Sequence, residues 1–315
     1  MEGSVAPLDW RKFRDPALTA RGERRATVAL KALETLWINT GTLCNLTCRN
    51  CYIESSPRND LLAYITRAEV REYLDEIARA ALPVRLIGFT GGEPFMNPEI
   101  AGMLDDVLAR GFEALVLTNA MQPMRKLRAP LLALRDRYGA RLRLRVSIDH
   151  YTREGHEAER GRRSWEPAIE GLVWLARNGF APDVAGRRFG AEGEAALRAG
   201  YARLFGALGI AIDARDPVRL MLFPEMRPDA DVPEITTACW GILNKSPDDV
   251  MCASARMVVK RRGAAAPSVL ACTLLAYDPR FELGRTLKEA SRAVALNHPY
   301  CSSFCVLGGA ACSRG

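Results

Sequence analysis

Cys44, Cys48 and Cys51 stand in the run Cys44-Asn45-Leu46-Thr47-Cys48-Arg49-Asn50-Cys51-Tyr52, a C-x3-C-x2-C spacing. Thiolates are soft metal ligands, and three of them in one loop supply three corners of a metal centre. A cubane iron–sulfur cluster has four irons, and clusters that only carry electrons usually have a cysteine on each. Three local cysteines leave one iron free to bind something else, and in metal sites generally an open position separates catalysis from structure. The competing chemistry is a zinc knot, which uses paired knuckles with a fourth Cys or His nearby. Here the next cysteine after Cys51 is Cys239 and the first histidine is His150, so a local zinc knot lacks its second half.

A strand over residues 36–42 leads directly into that loop. Thr66-Arg67-Ala68-Glu69 is a capping box, and Val70, Tyr73, Leu74, Ile77, Ala78 and Ala81 follow at helical spacing. Residues 84–90 read as a buried strand. Asn97 and Pro98 suit the start of a second helix, with Ile100, Met103, Leu104, Val107 and Leu108 on one face and Gly111 at its end. Strands at 114–118, 142–148, 180–185 and 218–223 alternate with helices at 130–138, from Ser164 to Gly179 (with Ile169, Leu172, Val173 and Ala176 inward), and at 192–208. Such alternation predicts an α/β fold with a parallel sheet. The Cys loop, Thr90-Gly91-Gly92-Glu93-Pro94, Thr118-Asn119 and Ser147-Ile148-Asp149 each follow a predicted strand, so all four gather on one face of the sheet.

At 315 residues, with 48% hydrophobic and 26% charged residues, the composition is that of a globular enzyme with one large domain and a small one. No apolar run approaches the roughly 20 residues that cross a bilayer. The N-terminus has no apolar secretory segment, so nine cysteines point to metal or redox chemistry in a reducing, cytoplasmic setting rather than to disulfides. The net charge of +7 comes mainly from dispersed Arg without interleaved aromatics, which argues against a nucleic-acid partner. The alternation Arg141-Leu142-Arg143-Leu144-Arg145 reads as one solvated strand face.

The Cys triplet followed one strand later by Gly91-Gly92-Glu93-Pro94 resembles the radical S-adenosylmethionine (SAM) superfamily. The resemblance implies a partial (β/α)6 TIM-like barrel that does not close. It implies a [4Fe–4S] cluster on Cys44, Cys48 and Cys51 whose free iron chelates SAM, and an electron from that cluster that yields a 5′-deoxyadenosyl radical. Gly91, Gly92 and Glu93 resemble the motif that meets the SAM amino group. Asn119 resembles the Asn after the third strand. Ser147 and Asp149 resemble a Ser-x-Asp that faces SAM ribose or substrate, and Arg160 of Arg160-Gly161 resembles a SAM-carboxylate partner. Asn50 departs from the aromatic residue that the family often has there, which leaves the adenine contact unassigned. Tyr64, His150, Tyr151, His156 and Glu225 are candidate substrate contacts.

The pattern changes near Pro233. Residues 257–260 and 268–275 read as a hairpin and 287–295 as a short helix. Cys239, Cys252, Cys272, Cys301, Cys305 and Cys312 crowd this stretch. The region resembles a twitch/SPASM-like domain, which implies a second, auxiliary [4Fe–4S] cluster on Cys252, Cys272, Cys301 and Cys305. Cys239 and Cys312 are spares that could replace a ligand, and four thiolates suit zinc equally well. The expected organisation is an N-terminal extension (1–34), the barrel (35–232) and the Cys-rich domain (233–315). The resemblance also implies a flavodoxin or ferredoxin-type electron donor. The short extension leaves no room for the peptide-recognition domain of peptide-maturing relatives. A small-molecule substrate undergoing dehydrogenation, rearrangement or cyclisation is therefore the first expectation and a peptide the second. A non-catalytic metal- or RNA-binding module is the reading from a different class.

Overall fold

Apolar runs alternating with amphipathic helices build a nine-stranded mixed sheet, with a separate two-stranded one, in the computed structural model, which describes residues 7–226 and 229–309. In chain order its elements are β1 (Thr27–Val28), β2 (Thr35–Asn39), α1 (Arg67–Arg79), β3 (Leu86–Thr90), α2 (Ile100–Ala109), β4 (Glu113–Thr118), α3 (Gln122–Lys126), α4 (Arg128–Tyr138), β5 (Leu142–Ser147) and α5 (Arg153–Arg160). They continue with α6 (Trp165–Arg177), β6 (Asp183–Arg188), α7 (Glu194–Leu208), β7 (Leu220–Pro224), α8 (Cys239–Ile242), β8 (Ala255–Val259), β9 (Ser268–Leu270), β10 (Glu282–Gly284) and β11 (Val294–Ala295). Strands β2 to β7 lie side by side in sequence order, and every pairing among them is parallel. The sheet ends at β7 on one side and β10 on the other, so the barrel stays open. No helix among the described residues is long and apolar enough to cross a membrane.

Local sequence explains the elements that hold the site. The capping box before α1 forms as expected: Thr66 Oγ1 accepts from Glu69 N–H while Glu69 accepts from Thr66 N–H. Trp37 is fully buried inside the barrel, and Gly88 on β3 makes room for it; a Cβ at Gly88 would lie 2.3 Å from the indole. Gly111, at φ +91°, ends the turn after α2.

Several local expectations need correction. The strand placed at 180–185 runs from Asp183 to Arg188, because Pro182 cannot donate to the ladder and delays its start. Helix α5 is absent from the periodicity reading, because its short charged run shows no apolar stripe; Thr152 caps it by accepting from Gly155 N–H at 3.2 Å. Ser164 does not cap α6, since its hydroxyl donates to Gly161 O at 2.7 Å. The inward face of α6 is Ala168, Gly171, Leu172 and Leu175 rather than the stripe through Ile169 and Val173. Residues 287–295 form a single 3-10 turn, Glu289–Ser291, and then β11, not a helix.

The arginines of β5 are not a solvated face. Both sides of a parallel barrel wall are covered, so the alternate residues point inward and Arg145 is 1% exposed. Asp183 on β6 gathers them. It accepts from Arg143 at 3.1 Å and Arg219 at 2.7 Å and lies 4.0 Å from Arg145.

The Cys-rich segment is continuous with the barrel sheet. β8 runs parallel to β2 on its outer side, and the β8–β9 hairpin forms where expected, although β9 stops at Leu270 rather than running to residue 275, with β10 completing the edge. The first described residues return to this segment too. β1 pairs with β11, and Arg25 bridges Thr236. Glu234 fastens the contact, accepting from the amides of Phe13 and Ala20 at 2.7 Å and from Arg25 at 2.6 Å. The side chains of Arg25 and Glu234 are only 0% and 6% exposed.

Burial alone would raise the Glu234 carboxyl, but the Ala20 and Phe13 amides and the Arg25 guanidinium outweigh it and hold the carboxyl below its ordinary value. Its ionised form therefore adds stability that is present above the unfolded value and lost as pH falls through the depressed folded one. Glu234→Ala strands a buried cation and two amides and should lower the unfolding free energy by about 3 kcal/mol. The denaturant midpoint near neutral pH measures this, and the deficit should shrink as the pH is taken down into the acid range.

Candidate active site

On the side of β3 the cysteine loop is seated by backbone contacts. Thr40 N–H donates to Thr90 O at 2.8 Å, Gly92 N–H to Gly41 O at 2.8 Å and Glu93 N–H to Leu43 O at 3.2 Å. Gly91 sits at φ +134°, and a Cβ there would lie 2.4 Å from Gly41 O. At Gly92 the Cβ would be 2.1 Å from Leu43 O. The glycine pair thus has a reason beyond approach to a ligand: it lets the loop after β3 lie directly against the loop that carries Cys44.

Glu93 closes the floor. It is fully buried and bridges two strand ends. Thr118 Oγ1 donates to it at 2.7 Å, Asn119 N–H at 2.8 Å and Phe95 N–H at 3.3 Å. Burial pushes its carboxyl up to about 7, against the pull of those donors and of Arg160. Asn119 in turn donates to Asn45 Oδ1 at 2.9 Å, and its amide lies 4.0 Å from Cys44 Sγ.

The opposite wall comes from β5, α5 and β6. Asp149 is 3% exposed. Arg160 Nε stands 2.9 Å from its Oδ2 and NH2 donates to Oδ1 at 3.1 Å, while Arg187 Nε is 3.6 Å from Oδ1. Burial raises Asp149, yet Arg160 and Arg187 outweigh it and keep the carboxyl below its ordinary value. Burial would lower Arg160, but Asp149 and the thiols Cys48 and Cys44 drive it up instead. The last turn of α5 also grips the cysteine loop: Arg49 N–H donates to Glu159 O at 2.8 Å and Asn50 Nδ2 to Glu159 Oε2 at 2.7 Å. Asn50, where the family often has an aromatic, is therefore a strut. Arg187 adds a third tie, donating to Asn50 O at 2.9 Å.

These elements enclose one pocket whose lining includes Cys44, Cys48, Cys51, Gly91, Gly92, Asn119, Ser147, Asp149, Arg160 and Arg187. The fold thus brings the strand-end residues expected from sequence to one place, with Glu93 just beneath. Burial pushes Cys44 up to about 12 and raises Cys48, so a bound metal must supply the charge that deprotonates them. The surroundings suit that charge: Leu46 N–H donates to Cys44 Sγ at 3.4 Å, Ser55 N–H to Cys51 Sγ at 3.3 Å, and Arg160 stands close by. Among the described residues no three His, Cys, Asp or Glu side chains close on a point where one ion could sit. A cubane distributes its protein sulfurs over separate irons, and the donor chemistry of the loop fits it.

Arg187, Glu159 and Phe223 were missed in the sequence. Ending the strand at residue 185 placed Arg187 in a loop; the paired Arg187-Arg188 continuing the apolar run was the available signal. The other candidates lie elsewhere. His156 is fully buried behind Asp149, accepting its N–H at 3.3 Å, and burial lowers it to about 4. His150 stacks on Tyr151, whose hydroxyl donates to Glu192. Tyr64 packs against Gly41, and Glu225 is exposed just beyond β7.

Cys252, Cys272 and Cys301 form a second group. Burial pushes Cys252 up to about 11 and drives Cys301 well above its usual value, with Cys272 and Cys252 as its nearest thiol influences. Cys305 follows Cys301 in a π-helical stretch, Cys301–Leu307, whose Phe304 stacks on the pocket residue Phe223 at 5.5 Å. Cys239 accepts from Thr236 N–H at 3.3 Å. Cys312 lies outside the described residues.

Residues 38–195, half of the chain, match the family model of the radical SAM superfamily. The chain belongs to the radical SAM superfamily. It is an iron–sulfur enzyme, and its cofactors are a [4Fe–4S] cluster and SAM. It is 31% identical over 143 residues to the antilisterial bacteriocin subtilosin biosynthesis protein AlbA of Bacillus subtilis, covering 45% of this chain and 30% of AlbA. It is 30% identical over 138 residues to the mycofactocin maturase MftC of Mycobacterium tuberculosis, covering 44% and 33%. The match therefore spans about a third of the length of these curated relatives. Streptococcus suis SuiB bound to SAM superposes with a TM-score of 0.58 at 10% identity, over 81% of this chain and 63% of SuiB, a likeness of fold.

Gly92→Ala should displace the cysteine loop, because its Cβ meets backbone rather than a yielding side chain. The variant should fold, as judged by circular dichroism, yet bind markedly less iron than the wild type on anaerobic reconstitution.

Proposed function

We propose that this radical SAM enzyme modifies a peptide and carries two iron–sulfur centres. The observation that carries the first of these centres is the shared pocket, in which three thiols stand beside the strand-end polar residues. In that reading Cys44, Cys48 and Cys51 hold the SAM cluster. When bound, the cluster supplies the electron that cleaves SAM reductively. The chain's own residues do the rest. Gly91 and Gly92 seat the cluster loop, and Glu93 locks the ends of β3 and β4 together. Asn119 and Ser147 offer polar atoms to SAM, and the Asp149–Arg160 pair sets the charge opposite the thiols.

Substrate class departs from the first expectation of a small molecule. The relatives that match in sequence are a bacteriocin biosynthesis protein and a maturase, and SuiB, which shares the fold, has been solved bound to its precursor peptide SuiA. These support a peptide. Cys252, Cys272, Cys301 and Cys305 are proposed to hold the auxiliary [4Fe–4S] cluster within the 233–315 segment, and an external flavodoxin or ferredoxin-type protein to donate electrons.

Cys48→Ala should abolish formation of 5′-deoxyadenosine from SAM in reconstituted, reduced protein; retained turnover would remove the assigned ligand set. Cys272→Ala should bring iron content down by roughly half, and a fall in zinc with constant iron would make the second site a zinc site. Activity on a short peptide library but not on a metabolite pool would support the substrate class, and the reverse would overturn it.

A further inference from the structure

Arg256, on β8, is a buried cation with no carboxylate partner among the described residues. It is 1% exposed, and four backbone carbonyls hold its guanidinium. Nε donates to Ala290 O at 2.8 Å, NH1 to Cys252 O at 2.6 Å and to Ala255 O at 2.8 Å, and NH2 to Arg292 O at 3.2 Å. Among the described residues the titratable side chains acting on it are Cys252 and Cys272, and no acid is among them. The other buried arginines, Arg25 and Arg145, and the pocket's Arg160 differ. Arg25 meets Glu234 at 2.6 Å, Arg160 meets Asp149 at 2.9 Å and Arg145 faces Asp183 at 4.0 Å. Carbonyl dipoles solvate a guanidinium but carry no net charge, and a buried charge is retained at low cost only when an opposite charge accompanies it.

We propose that Arg256 is the counter-charge of the anionic metal–thiolate centre at Cys252, Cys272, Cys301 and Cys305, and that it raises the reduction potential of that centre. The proposal rests on the two-centre reading above. One-electron reduction makes such a centre one unit more negative, and a fixed cation in a low-dielectric surrounding favours that state. Arg256 also joins the carbonyl of Cys252 to the turn at residues 290–292, so one side chain sets both the charge and the spacing of the ligand loops. The second centre is thereby easier to reduce than it would be with a neutral side chain at position 256.

The test uses the full chain, reconstituted anaerobically, with potentiometric titration of the SAM-insensitive iron–sulfur signal in wild type, Arg256→Lys and Arg256→Gln. Lys keeps the charge and Gln removes it. The expected result is a Lys variant near wild type and a Gln variant whose reduced-to-oxidised ratio at fixed potential falls at least tenfold, or 59 mV for one electron. If Gln fails to hold iron while Lys holds it, charge is again the requirement. Equal shifts in both variants, loss of iron from both, or no shift in either overturns the proposal. A wild-type protein with only one iron–sulfur centre, or with zinc at the second, overturns the two-centre reading itself, and iron and zinc analysis shows this before any substitution is made.

Discussion

The contact of Gly91 and Gly92 with the backbone of residues 41–43 is the constraint on which the site depends. Two loops that follow adjacent parallel strands must touch main chain to main chain, and Cβ atoms at 2.4 and 2.1 Å from carbonyl oxygens leave no other residue type in place. From this contact the geometry spreads outward. Glu93, fixed by its position after the glycines, reaches the end of β4, and Asn119 from that strand end reaches back to Asn45 in the cysteine loop. The loop is thus held from below by β3 and β4.

It is held from the far side by α5 and β6. Glu159 and Arg187 take the backbone and side chain of residues 49 and 50, and Arg160 and Arg187 share Asp149. The result is a pocket wall of alternating charge in which two cations stand near three thiols. That arrangement favours an anionic metal–thiolate centre and holds the carboxylate beside it ionised. The C-terminal segment completes the frame. Tyr277 donates to Ile53 O at 2.9 Å and receives from Asn59, so a residue of the Cys-rich segment braces the chain just after Cys51.

Much of this was legible in the sequence where spacing carries the information. The Cys triplet, the glycine pair and the strand-helix alternation each have a local signature, and the capping box at Thr66 forms as read. What escaped was set by three-dimensional context. The inward arginines of β5 look like a solvated face because alternation alone does not say that both sides of a barrel wall are covered. Arg187 was hidden by a strand boundary displaced by Pro182, and α5 by its lack of apolar residues. The joining of β8 to β2 is a pairing between residues more than two hundred positions apart, which no local pattern encodes.

The most direct test of the account is the electron spin resonance spectrum of the reduced, anaerobically reconstituted protein before and after SAM is added. A cluster held by Cys44, Cys48 and Cys51 with an open iron should change its spectrum when SAM binds, and Cys51→Ala should remove that change. A reduced cluster whose spectrum is the same with and without SAM would contradict it.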